Sequence, residues 1–129
     1  MSVRDDKLGR VKVSPAAIAA LVTEAVKECY GVVGMSSRSR LDDLTGSLHR
    51  SARRGVDISE GDSGVIVDVY VVVEYGTRIS EVAAGVMRRI HFSLSKTAGI
   101  PVHAVNVHVQ GLRVSESQND ETKGLRGKV

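Results

Sequence analysis

Gly64-Val65-Ile66-Val67-Asp68-Val69-Tyr70-Val71-Val72-Val73-Glu74, then Tyr75-Gly76, then Thr77-Arg78-Ile79-Ser80-Glu81-Val82, is the stretch that decides the fold. Valines 65, 67, 69, 71 and 73 recur at every second position, which gives a long half-buried strand one β-branched, apolar face. After Tyr75-Gly76 the period changes. Ile79, Val82, Ala83, Val86, Ile90, Leu94 and Thr97 fall on one side of a helical wheel, and Glu81, Arg88, Phe92 and Lys96 on the other. Gly99 is placed to end that helix and Pro101 cannot continue it. Val105, Val107 and Val109 then alternate with Ala104, Asn106, His108 and Gln110, so strand, helix, strand is the spine of the fold.

Working outward, residues 1 to 8 are polar and predicted to be loose. Gly9 to Ser14 alternates as a short strand with Val11 and Val13 inward. Ser14-Pro15 is a helix start, with the hydroxyl free to cap and the proline at the first helical position. Ile18, Leu21, Val22, Ala25, Val26 and Cys29 form that helix's apolar stripe, and Gly31 closes it. Gly31 to Met35 is a glycine-bounded turn into a short apolar strand. Residues 36–54 form a basic excursion carrying Arg38, Arg40, Arg50, Arg53 and Arg54, with Leu41, Leu44 and Leu48 at a helical spacing. Gly55 to Ser59 alternates again, and the turn at Glu60 to Gly64 joins it as a hairpin to the long strand. The tail, residues 115–129, has almost no apolar content and is predicted to be disordered. The fold class is therefore α+β, in the order β-α-β-β-β-α-β. It is a two-layer sandwich with two helices on one face of a mostly antiparallel sheet, a single domain over residues 9–114.

The 129 residues, 42% hydrophobic, suit one core. No run reaches the roughly 18 apolar residues of a membrane span, and Met1 to Asp6 lacks the apolar segment of a secretory signal, so the expected location is the cytoplasm. Cys29 has no second cysteine to pair with. The net charge of +3, from 18 basic and 15 acidic residues, permits an anionic partner without requiring one.

No catalytic constellation assembles. His103 and His108 lie five apart on a strand and point to opposite faces, and no two carboxylates are forced into one pocket. Neither a dinucleotide fingerprint nor a P-loop occurs. The expectation is a non-enzyme without metal or cofactor. Two surfaces are candidates for contact. On the outer side of the second helix Gly85, Arg88, Arg89, Phe92 and Lys96 cluster, an aromatic ringed by cations. On the second face of the sheet Tyr70 and Val72 are more apolar than solvent requires. The alternative is nucleic-acid binding through Arg50, Arg53 and Arg54 beside Gly31-Val32-Val33-Gly34, a G-x-x-G of the kind KH domains use. Against it, aromatic residues are only 3% of the chain and none lies among those arginines to stack a base.

Ser14-Pro15 with its helix, Tyr30-Gly31-Val32-Val33-Gly34-Met35, Val67 to Val71, Tyr75 to Val82, and Val105-Asn106-Val107-His108-Val109-Gln110-Gly111-Leu112-Arg113-Val114 occur in order. Together they resemble the alkaline shock protein (Gls-type) family of bacterial envelope stress proteins, in its YloU-like branch. The resemblance implies a small cytoplasmic protein without enzymatic activity that self-associates as a homo-oligomer and binds other proteins. It also implies attachment near the membrane through a separate anchoring protein rather than by direct insertion. It carries over no catalytic residue.

Overall fold

In the computed structural model, which describes residues 2–36 and 55–114, the valine-rich segment is the central strand of a mixed sheet. The elements are β1 (Ser2–Asp6), β2 (Gly9–Lys12), α1 (Pro15–Lys27), β3 (Val32–Met35), β4 (Val56–Gly61), β5 (Gly64–Glu74), α2 (Ile79–Phe92) and β6 (Val102–Arg113). The Ser14 hydroxyl accepts from the Ala17 N–H at 3.1 Å and caps α1, with Pro15 in the first turn.

One edge of β5 is covered by β6 along its whole length, in parallel register from Val65↔Val102 to Glu74↔Arg113. The other edge is shared end to end. β3 pairs antiparallel with Val71 to Val73, and β4 pairs antiparallel with Gly64 to Val69. Between them the Ser36 N–H donates to the Tyr70 carbonyl and the Tyr70 N–H to the Gly55 carbonyl, each at 2.9 Å. The chain thus leaves the sheet and re-enters it opposite one residue, and the basic excursion departs from that point. The parallel pair follows from the spine itself, because a helix that carries the chain back over a sheet returns it in the same direction.

Valines 65, 67, 69, 71 and 73 are fully buried, and so are Ile18, Val22, Val86, Ile90 and Leu94. Both helical stripes therefore meet the odd-numbered face of β5, and each such side chain contributes about 1.5–3 kcal/mol by leaving water. α1 lies over β3 and β4, while α2 lies over β6. Two layers with one seam result, as the periodicity requires.

Four expectations are corrected. Residues 2–6, predicted to be loose, form β1 and pair with β2 as a two-stranded sheet of their own. Val11 is consequently 50% exposed rather than inward, since β2 has no place in the main sheet. Ile79 is also exposed, since in the first turn of α2 it is Val82, packed beside Gly31, that is buried. Thr97 leaves the apolar stripe because α2 passes into a π-helical turn, Ser93–Thr97. There the Ala98 N–H reaches back to the Ser93 carbonyl at 3.0 Å, and the extra residue shifts the helical phase. The leucine-arginine excursion from residue 37 and the tail from residue 115 lie outside the described residues.

Candidate functional site: a cleft between the helix ends

Where α1 ends and α2 begins, the two helices leave a cleft of about 850 Å³. Glu28, Cys29 and Tyr30 line it from the α1 side, and Gly76, Thr77, Arg78, Glu81, Val82, Gly85 and Arg89 from the other. Helical spacing explains the α2 contribution. Glu81, Gly85 and Arg89 are four apart and share one line, and Phe92 continues that line a turn further on. Arg89 reaches across to pair with the Glu28 carboxylate, tying the two helices together at the cleft wall. Both partners are well exposed, so the pair orients the wall more than it stabilises the fold.

The floor holds Cys29, whose thiol donates to the Ala25 carbonyl at 3.4 Å. Burial pushes its pKa up, with nearby Glu28 adding to the rise and Arg89 opposing it. A thiol held protonated is a poor nucleophile, so it acts here as a small apolar floor. Tyr30, 84% exposed, gives the rim its apolar area, and Phe92, 55% exposed, lies on α2 about one turn beyond Arg89, the last α2 residue that lines the cleft. Gly85 keeps the middle open, because a Cβ built on it has no atom within 4 Å. Gly85→Ala is therefore expected to stabilise the domain by roughly 0.5–1 kcal/mol, the helix-interior cost of glycine, while narrowing the cleft. A thermal melt checks this, and a lowered midpoint would mean the space is not there.

Of the residues singled out from sequence, Arg88, Arg89 and Phe92 lie together on α2, and Lys96 follows in the π-helical turn, exposed like them. Tyr70 and Val72 are elsewhere, on the even-numbered face of β5, with the sheet between them and the helices. Tyr70 is only 7% exposed and stacks on His108, with ring centroids 4.4 Å apart, so it is not the open contact predicted for it. Beside it Asp68 accepts from the Asn106 amide at 3.1 Å and lies 3.0 Å from His108 Nε2. These cross-strand contacts tie β5 to β6. Gly31-Val32-Val33-Gly34 runs into β3, so Gly34 sits in a strand rather than a clamp loop, and Arg50, Arg53 and Arg54 lie outside the described residues. Tyr30, Thr77 and Arg78 were not singled out, since they lie in connections whose meeting depends on tertiary packing. Gly85 amid a helical stripe was the available signal for the opening.

Fold and site together define a small two-layer α+β domain with an apolar-rimmed cleft between its helix ends. Residues 3–114 match the model of the alkaline shock protein 23 family, described as of cell envelope-related function, and the chain belongs to that family. The uncharacterized protein YloU of Bacillus subtilis is 38% identical over 111 residues, 84% of this chain and 92% of that one. The uncharacterized protein Spy1614 of Streptococcus pyogenes is 39% identical over 110 residues, covering 84% and 91%. A second Bacillus subtilis relative, the uncharacterized protein YqhY, is 31% identical over 129 residues, covering 94% and 93%. Among the described residues no helix is long and apolar enough to cross a membrane.

Proposed function

We infer that this chain is a non-enzymatic, envelope-related scaffold that self-associates and docks partner proteins near the membrane, one of them serving as its membrane anchor. The observation that supports partner docking best is the cleft between the helix ends, with exposed Tyr30 on its rim and exposed Phe92 a helical turn beyond Arg89. Aromatic side chains beside arginines, around a recess they can frame, are the composition of protein-contact hot spots. Arg88 and Arg89 flank Phe92 on α2, and Lys96 extends the cationic border. Membrane proximity comes through the anchoring partner, with no spanning helix among the described residues.

A photo-crosslinking amino acid placed at position 92 tests the docking surface in the native cell. Discrete adducts with a protein other than this chain are expected there, fading at least about fivefold when Gly85→Ala narrows the cleft, an energy of about 1 kcal/mol. The same probe in place of Asp62, on the β4–β5 turn at some distance in sequence from the cleft, is expected to give none. Position 92 giving no adduct, or the same smear as position 62, would remove the surface from the account.

A further inference from the structure

We propose that the self-association runs through the free edge of β6 and the adjoining flank of α2, which pair with the same surfaces of a second copy about a two-fold axis. The inference rests on the self-association reading above and assigns its interface. Among the described residues β6 pairs only with β5, so its outer edge presents a row of backbone N–H and C=O groups without a strand to bind them. Such edges are ordinarily guarded by lysine, proline or inward charge. Here Val102 to Leu112 contains no Lys, Arg, Asp, Glu or Pro. The register slips at His103 and at Gln110, leaving Ala104 to Val109 as the uninterrupted stretch.

The helix above that edge is built to match. α2 lies over β6, and its α1 side is fixed by the Arg89 pair with Glu28. Each helical residue advances about 100°, so Met87 is roughly 200° from Gly85 and looks away from α1, beyond β6. Ser80, Ala83, Ala84 and His91 share that flank with Met87. It holds no Lys, Arg, Asp or Glu, whereas the charged residues of α2 that are exposed, Glu81, Arg88 and Arg89, lie off that flank. Met87 is nonetheless 43% exposed. An uncharged strand edge and an uncharged helix flank thus lie side by side in the two layers.

A second copy satisfies both at once. Antiparallel β6 to β6 pairing about an axis normal to the sheet joins the two sheets into one and keeps both helical layers on the same face. The two α2 flanks then approach each other above the new strand pair, and small Ala83 and Ala84 let them come close. Such a contact is isologous, each copy offering the same patch, and it closes at two. The strand pair supplies hydrogen bonds and register, and the helix flanks add the apolar area that a strand edge alone lacks. The cleft on the α1 side of α2 stays open in this arrangement, so assembly and partner docking use different surfaces.

Two measurements on the full chain test it. Sedimentation of the wild type, Met87→Lys and Phe92→Glu across concentration is expected to show a dimer whose dissociation constant rises at least about tenfold in Met87→Lys, equivalent to about 1.4 kcal/mol. Phe92→Glu is expected to stay within about twofold, below 0.5 kcal/mol. Both positions are exposed, and matching thermal midpoints confirm that the variants fold. In the second, single cysteines Ala104→Cys, Asn106→Cys, His108→Cys and Gln110→Cys are introduced on a Cys29→Ala background and oxidised. At least one is expected to give a disulfide-linked dimer, since paired strands bring opposite residues to about 4.5–5.5 Å. A dimer in sedimentation that no β6 cysteine traps, with Met87→Lys as tight as wild type, would overturn this interface and leave self-association standing. A monomer throughout would overturn both.

Discussion

Gly64→Ala is expected to cost the domain roughly 3–5 kcal/mol, combining a strained backbone with a hard overlap. Gly64 opens β5 at a φ of +150°, where an L side chain is disfavoured, and a Cβ built there falls 2.5 Å from both the carbonyl carbon and oxygen of Pro101. Those are backbone atoms and cannot rotate aside. The same Pro101 carbonyl accepts from the Val65 N–H at 3.0 Å, so relief by separation would break the bond that starts the β5–β6 pairing. A domain of this size carries about 5–15 kcal/mol in all, so a large part of the stability is lost. Urea unfolding followed by circular dichroism measures it. A midpoint corresponding to less than about 1 kcal/mol of loss would show that the Pro101 turn yields freely. The comparison with Gly85→Ala is informative, because the same substitution on the same chain is expected to act with the opposite sign.

Ile90→Ala is the second large effect, at about 2–5 kcal/mol. Ile90 is fully buried, in one contiguous apolar cluster with the odd-numbered valines of β5 and the apolar stripe of α1. Truncation removes apolar area and leaves a void that the surrounding valines, stiff at χ1, fill poorly. The thermal midpoint should fall by more than about 10 °C for a domain of this size. Phe92→Ala, two residues further on but pointing to solvent, should stay within about 0.5 kcal/mol of wild type. Equal losses at the two positions would mean the helical face has been assigned wrongly.

How much of this the chain announces in advance depends on where a residue's neighbours come from. The β5 valines and the stripe of Val82, Val86 and Ile90 were legible because periodicity of two or of 3.6 sorts faces without knowledge of the partner. Ser14-Pro15 was legible because capping is local. β1 was not, since Ser2 to Asp6 carries a single apolar residue, Val3, too few to show alternation, and forms a strand by pairing with β2. The π-helical turn at Ser93–Thr97 leaves no mark in hydrophobic spacing beyond misplacing Thr97. Of the site, Arg89 was visible, with Arg88 and Phe92 next to it on the helix as an aromatic among cations. Tyr30 and Arg78 were not, because they meet only when the end of α1 is brought beside the start of α2. Tyr70 was misjudged from alternation alone, which says which face a side chain takes but not whether a neighbour such as His108 covers it.

Assembly is the property on which the scaffold reading turns, and sedimentation velocity of the intact chain from about 1 μM to a few hundred micromolar tests it most directly, a range that brackets binding of about 5–8 kcal/mol. The expected result is a concentration-dependent shift from monomer to dimer within that span. A single monomeric species at every concentration would contradict it.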